Sequence, residues 1–374
     1  MRLFRERYWR EPEGVWRAPG RVNFIGEHTD YNDGFALPFA IGAGVCVAAA
    51  TRADGMIALS SRQYGAGVVT VSPGALKPGA VRGWAAYPAG VAWALRSAGL
   101  SVGGASLAFD ADLPAGAGLS SSAALECATA LALTELYWQA VPRPELAAFG
   151  RRAENDFVGV PTGLMDQLAV LLGQPGHALL LDCRSGSGTP VPLDPAAAGL
   201  ALLIIDTRAH HELTDGGYAA RRRACEIAAR ALGVRSLREI TEVSELDGLG
   251  DPTLRRRARH VVSENRRVLE VAALLRDGQL ARVGPLLTAS HVSLRDDFEV
   301  SWAEADAAVE AALDAGALGA RMTGGGFGGS VIALAPAAAA AGVTGAVTDV
   351  FGRQGWRAPV IWPTQPAQGA IRLR

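Results

Sequence analysis

Between Leu113 and Glu126 the chain reads LPAGAGLSSSAALE, a run that restricts the fold more than any other. Ser106–Phe109 ahead of it is β-prone, Gly116 and Gly118 make its middle pliable, and Ser120–Ser122 offer helix caps. A helix is expected from Ala123 onward, with Leu125, Ala128, Leu131 and Leu136 as its buried stripe. A glycine loop opening into a helix presents unpaired N–H groups and the positive end of the helix dipole, so phosphate binding is the physical expectation. The competing reading is a loop that only caps its helix, which is the commoner case. No glycine follows Gly118 at the spacing of a dinucleotide-binding fingerprint.

A second dense stretch, GRVNFIGEHTDYNDGFALP, runs from Gly20 to Pro38. Glu27, His28, Asp30, Tyr31 and Asn32 crowd together there between apolar runs. A carboxylate accepts two hydroxyl donors and an imidazole offers one donor and one acceptor, so this cluster could read the hydroxyls of a sugar. An Asx-turn, with Asp30 and Asn32 bonded to their own backbone, explains the same residues. Composition does not choose between the two.

The chain has 374 residues, long enough for two domains. With 49% hydrophobic and 20% charged residues and a net charge of −1, it offers no broad nucleic-acid or anionic-membrane surface. Lys77 is the single lysine among 36 basic residues, and it sits in a turn-like context, SPGALKPGA. A Walker A loop or a protein-kinase strand lysine is therefore excluded, and any ATP must be held another way. Cys46, Cys127, Cys183 and Cys225 lack metal-ligand spacing and read as reduced thiols. The charged N-terminus has no apolar h-region and the apolar runs are too short or too rich in Gly and Ala to span a bilayer. The expectation is a cytoplasmic protein.

Elsewhere, Ala18-Pro19-Gly20 reads as a turn, Ile57–Val71 as one or two strands, and Trp84–Ser97 as a helix with Pro88 in its first turn. Trp84 and Tyr87 lie one helical turn apart, where core packing is the ordinary reading. Glu154 falls near the end of a helical segment, and Asp166 in the first turn of the helix after Pro161 and Gly163. Leu179–Pro195 reads as a strand ending in a Gly/Ser/Pro cluster and supplies the expected domain boundary, dividing 1–185 from 186–374. His210 and His211 would point to opposite faces of a strand, which argues against a metal site. Five glycines (324–326, 328 and 329) precede an apolar strand.

These three stretches, in this order, resemble the galactokinase branch of the GHMP kinase superfamily: the 20–38 run its sugar signature, 113–126 its phosphate loop, and RMTGGGFGGS its third motif. The resemblance implies an α+β, two-domain fold, an N-terminal ribosomal-S5-domain-2-like unit followed by a ferredoxin-like one. It implies transfer of the γ-phosphoryl of ATP to O1 of galactose, with Mg²⁺ as cofactor. Asp166 and Arg21 would be catalytic, and Glu27, His28, Asp30, Gly163, Asp166 and Tyr218 would bind the sugar. The phosphate loop (Gly116, Ala117, Gly118, Leu119, Ser120, Ser121, Ser122, Ala123) would hold the nucleotide, with Trp84 and Tyr87 beside the base. Ser122 and Glu154 would hold the metal. Galactose and MgATP are then the partners of a monomer, with no nucleic acid and no membrane. Two departures stand out: GGGFGG where many members have GAGFGG, and Asp206 where asparagine is frequent. A silent galactose-and-ATP sensor of the same fold is disfavoured because Ser122, Ala123, Asp166 and Arg21 are all present. An N-acetylgalactosamine kinase is disfavoured by HTDYN.

Overall fold

The computed structural model describes residues 1–65, 67–114, 116–210 and 214–374, with the side chains of 210–215 outside the description. His210 and His211, weighed as metal ligands, lie there, so that reading stays outside the described residues.

The first unit is a six-stranded sheet. Its strands are β1 (Gly14–Asn23), β3 (Pro38–Arg52), β4 (Ile57–Ser61), β5 (Val69–Val71), β6 (Gly104–Ala111) and β13 (Ile371–Arg372), in the order β13-β1-β3-β6-β4-β5. Among the described residues of this sheet only β4 and β6 pair in parallel; α2 (Ala86–Ser97) lies between them in sequence. The remaining helices of this unit are α1 (Arg2–Tyr8), α3 (Ser121–Leu136), α4 (Arg143–Arg152) and α5 (Met165–Leu172). Leu3 and Phe4 of α1 bury themselves against Ala48, Ala50 and Ala108, while α3 packs across β1 and β3. Helices on the sheet leave β1 buried along most of its length. A small sheet, β2 (Phe35–Ala36), β7 (His177–Asp182) and β8 (Ser187–Pro192), follows.

The second unit carries β9 (Leu200–His210), β10 (Gly319–Thr323), β11 (Gly328–Pro336) and β12 (Val360–Thr364) in the order β10-β11-β9-β12, all antiparallel. Four helices, α6 (Thr214–Ala231), α7 (Pro252–Arg276), α8 (Gly284–Val292) and α9 (Ala303–Asp314), separate β9 from β10, and α10 (Ala340–Gln354) separates β11 from β12. Helices excepted, strand succession and sheet order are those of a β-α-β-β-α-β ferredoxin-like unit.

Several local expectations change. Ala18-Pro19-Gly20 is no turn: it lies inside β1, and the pairing with β3 shifts register between Pro19 and Arg21. Proline has no N–H for the ladder, so an irregularity there costs little and re-aims Arg21. The Leu179–Pro195 segment is a hairpin, because Asp182 Oδ1 accepts from the backbone N–H groups of Arg184 and Ser185 and turns the chain. The terminal strand β13 returns to pair with β1. Helix α3 has no single stripe; Glu126, Thr129 and Thr134 are buried along with its apolar residues, while Leu125 is only half-buried. It runs through the core, where periodicity carries no signal.

Candidate active site

A cleft of about 760 Å³ is lined by Arg21 from β1, Glu27, His28 and Asp30 from the loop that follows, and the 116–122 loop. Glu154, Gly159–Gly163 and Asp166 close one wall, and Tyr218 and the 324–328 loop another.

Arg21 is the central cation. Its Nε and Nη2 donate to Asp166 Oδ1 and Oδ2 at 2.7 and 2.9 Å, and Nη1 donates to the Gly118 carbonyl at 2.7 Å. Such a fork fixes a carboxylate in plane as well as in place. Ser120 Oγ donates to Asp166 Oδ2 at 2.5 Å. Ser120 occupies the N-cap of α3 in the left-handed region, φ 56°, with no side-chain cap bond. The hydroxyl that reads as a cap in the sequence is committed to Asp166, so the first N–H groups of α3 stay without a side-chain cap from Ser120 at the cleft. Two bonds pin the loop from behind: Arg21 N–H to the Leu119 carbonyl, 3.2 Å, and Ser330 Oγ to the Ala117 carbonyl, 2.7 Å. Ala123 is buried in the core, so only its backbone is available to a ligand.

The polar residues of the sugar signature divide in two. Glu27 is buried and engaged: it pairs with Arg321 and accepts from Gly324 N–H at 2.8 Å and Thr323 Oγ1 at 3.1 Å. His28, at φ 60°, has both ring nitrogens occupied. Nε2 lies 3.2 Å from the Gly325 carbonyl, which only accepts, so Nε2 carries the proton and Nδ1 accepts from Tyr31 Oη at 2.8 Å. Burial, with His260 next in effect, lowers the His28 pKa to about 3 and keeps the ring neutral. These two side chains tie the signature loop to the third glycine loop. Asp30 lines the cleft beside them with its carboxyl pushed up to about 6, by burial first and by Asp166 second. The Asx-turn reading fails for Asn32, whose amide donates to the His28 carbonyl.

Gly163 explains itself by contact. A Cβ built there would sit 1.7 Å from Asp30 Oδ2, so only glycine lets Asp30 approach this wall. Tyr218 stands within 5.3 Å of the His28 ring and 5.6 Å of the Tyr31 ring, and burial followed by Asp30 and Asp166 keeps its hydroxyl protonated. A Cβ on Gly325 would lie 3.4 Å from the Tyr218 ring, so the GGGFGG departure removes one methyl contact beside this tyrosine. Asp206 accepts from Arg208 N–H at 2.9 Å and is absent from the lining, so that departure stays away from the cleft.

Glu154 sits in a π-helical turn, Ala153–Val158, continuing α4, the kind of irregularity that often accompanies functional sites. Its carboxyl is raised by burial and then by Asp166, while hydrogen bonds from Thr162, Ser122 and Gln167 oppose the shift. Trp84 and Tyr87 do not line the cleft. Trp84 stacks on Tyr64, rings 7° from parallel and 5.6 Å apart, and Tyr87 is pushed up to about 12 by burial, with Glu154 and Glu126 next.

Residues 2–51 match the galactokinase galactose-binding signature, 86–174 the GHMP kinase N-terminal domain and 271–352 the GHMP kinase C-terminal domain. The galactokinase of Streptomyces coelicolor is 49% identical over 99% of this chain and 97% of its own length. This chain belongs to the galactokinase family. The galactokinase of Mycobacterium tuberculosis is 48% identical over 96% of this chain and 98% of its own. Among solved structures, Lactococcus lactis galactokinase complexed with galactose superposes with a TM-score of 0.94 at 34% identity, covering 99% of this chain and 98% of that one.

Within this galactokinase-family site, sequence reasoning passed over Arg321, Glu264, Thr162 and Gln167. Arg321 reads as an ordinary strand residue, yet it is fully buried and donates to Glu27, to the carbonyls of Asn23 and Phe24, both 3.2 Å, and to Ser290. Only its position beside the third glycine motif pointed towards the site.

Proposed function

We propose that this protein transfers the γ-phosphoryl group of ATP to the O1 hydroxyl of galactose. The observation that carries the reading is the bidentate Arg21–Asp166 pair beside the uncapped start of α3, which sets a hydroxyl acceptor next to an anion site in one cleft. The O1–P bond forms as the bond from phosphorus to the bridging β,γ oxygen breaks, and the O1 proton leaves towards Asp166. Arg21 holds Asp166 in line and offsets charge on the moving phosphoryl, which is mainly what this reaction asks of a protein. Asp30, Tyr218, His28 and Glu27 form the sugar wall, with the Asp30 carboxyl held from its own loop by the backbone N–H groups of Tyr31 and Asp30. The phosphate loop holds the nucleotide, whose base extends towards Trp84 and Tyr87.

For Mg²⁺ the donor chemistry fits. Ser122 and Glu154 are neighbouring hard oxygen donors at the cleft, and Glu154 is a buried acid with another acid nearby and no basic partner among its named contacts. No group of three or more His, Cys, Asp or Glu side chains suited to a metal occurs among the described residues, so the remaining ligands would be phosphate oxygens and water. When bound, the ion neutralises phosphate charge. Two units meeting near residue 185, a monomeric state and a cytoplasmic location complete the reading. The four free cysteines support the location, and no helix among the described residues is long and apolar enough to cross a membrane.

The test is ADP release, by a coupled assay, with galactose, glucose, N-acetylgalactosamine and mevalonate as acceptors. Galactose should exceed glucose in kcat/KM by orders of magnitude, since an equatorial 4-hydroxyl leaves buried partners unpaired. Equal values for the two sugars would refute the assignment.

Asp30 gives a pH signature. Its proton is held in the folded protein up to about pH 6 but leaves the unfolded chain near 3.8, so this group's contribution to stability is full below pH 3.8 and is lost as pH rises through 6. Asp30→Asn should therefore raise the unfolding free energy at pH 7.5 by an amount on the order of 1–3 kcal/mol, readable as a higher Tm, and bring no gain near pH 3.8. The same variant should lose galactose binding. In the wild type, galactose affinity should fall about tenfold between pH 7.5 and pH 5 as Asp30 takes up a proton; a flat profile would remove Asp30 from sugar recognition. Gly163→Ala tests the same carboxylate sterically: it should raise KM for galactose at least about tenfold by displacing Asp30, with little change in the affinity for ATP.

A further inference from the structure

Behind the cleft wall, Gln167 is fully buried, and its amide nitrogen donates to two carboxyl groups, Glu126 Oε2 at 2.9 Å and Glu154 Oε2 at 3.1 Å. Thr162 Oγ1 donates to the same Glu154 oxygen at 2.9 Å. Two donors thus fix Glu154 Oε2, and Ser122, the other residue proposed at the cation, also hydrogen-bonds this carboxyl. Two other buried atoms of this group, Glu126 Oε1 and Gln167 Oε1, have no hydrogen-bond partner. Both are acceptors if Glu126 is ionised, an arrangement that wastes two buried lone-pair sets. One proton on Glu126 Oε1 turns one of these two buried acceptors into a donor, beside a residue already joined to it by the 2.9 Å bond. Burial, with the charge of Glu154 second, favours keeping that proton.

We propose that Gln167 is the positioning residue for the cation-binding carboxylate Glu154, and that Glu126, bonded to the same amide, orients it. The proposal rests on the reading of Glu154 as a cation ligand. It accounts for a fully buried carboxyl in the middle of α3, which costs stability unless it is neutral and bonded. Outer partners of this kind are worth about 10–100-fold in metal affinity.

The experiment is calorimetric titration of the full-length protein with ADP, in Mg²⁺ and in EDTA, with galactose affinity as a control for the fold. Gln167→Met should weaken ADP binding at least about tenfold in Mg²⁺ and leave binding in EDTA unchanged. Glu126→Leu should act in the same direction, and Glu126→Gln should recover most of that loss, because an amide N–H replaces the acid O–H. Wild-type MgADP affinity in a folded Gln167→Met protein would overturn the proposal, as would a Glu126→Gln protein as impaired as Glu126→Leu. If Gln167→Met does not fold, the two Glu126 variants decide. Glu154→Gln separates the two readings: if it keeps the full gain from Mg²⁺, the cation reading falls and the proposal with it. If it loses that gain while Gln167→Met does not, the proposal alone falls.

Discussion

An Asp166→Asn protein should bind galactose, seen by calorimetry, and release ADP at least about 10²-fold more slowly than the wild type. The ordinary role of an acid in the first turn of α5 predicts something else, a loss of about 1 kcal/mol or less and no change in turnover. The geometry separates these outcomes. Both Asp166 oxygens are engaged, by two Arg21 donors and by Ser120, so the carboxylate is fixed in orientation where a helix-start acid would be free. Asparagine offers an acceptor oxygen and a donor nitrogen, and in either orientation the nitrogen would face an Arg21 N–H, which can only donate. Tm should fall, because buried Arg21 loses its ion pair. The fold should persist, because Arg21 keeps the Gly118 carbonyl and the attraction of Glu27 and Asp30. A folded variant with near-normal kcat would take Asp166 out of the mechanism.

The largest effect on stability should come from Arg321→Met. This guanidinium is fully buried between Glu27 and Glu264, and it also satisfies the carbonyls of Asn23 and Phe24. Removing it strands Glu27, whose carboxyl burial already pushes upward, and takes the donor from the Phe24 carbonyl, while the Asn23 carbonyl keeps Thr323 Oγ1 at 2.9 Å. Breaking such a pair costs about 3–5 kcal/mol, readable as a lower midpoint in urea. Glu264 suffers less: although burial opposes its ionisation, Arg267, His260 and Arg321 together hold it down at about 2, and Arg267 Nε stays 2.7 Å away. Adding Glu27→Gln should therefore recover part of the loss, because the stranded charge is gone. KM for galactose should rise in the single variant, since the sugar loop is anchored through Glu27. A double variant no more stable than Arg321→Met would show that Glu27 is not the group being stranded.

Much of the site was legible because its chemistry is concentrated in sequence. The 20–38 and 113–126 runs each place their polar groups and glycines within one loop, and local chain geometry then brings them to one place. What misled was local as well. Ser120 reads as a helix cap, yet its hydroxyl meets an aspartate 46 positions away. Glu27 and His28 read as partners of sugar hydroxyls; both line the cleft, and their polar atoms are also engaged by Arg321, Thr323, Gly324, Gly325 and Tyr31, which the chain alone does not show. Ala18-Pro19-Gly20 has turn composition, but pairing with β3 on one side and packing under α3 hold it in a strand.

By itself, then, the sequence determined where the glycine loop and the polar signature run lie, that no lysine-based nucleotide loop exists, and which acids were candidates, since each of these depends on residue type and short spacing. Only the tertiary structure decided which of those groups are available. Hydrogen-bond valence is finite, and the partners that use up Glu27, His28 and Ser120, or leave Asp30 exposed to the cleft, come from segments up to about 300 positions away. Gly163 shows the same division: its identity is plain in the chain, but the reason for it, an aspartate oxygen where a Cβ would be, exists only once the two loops meet.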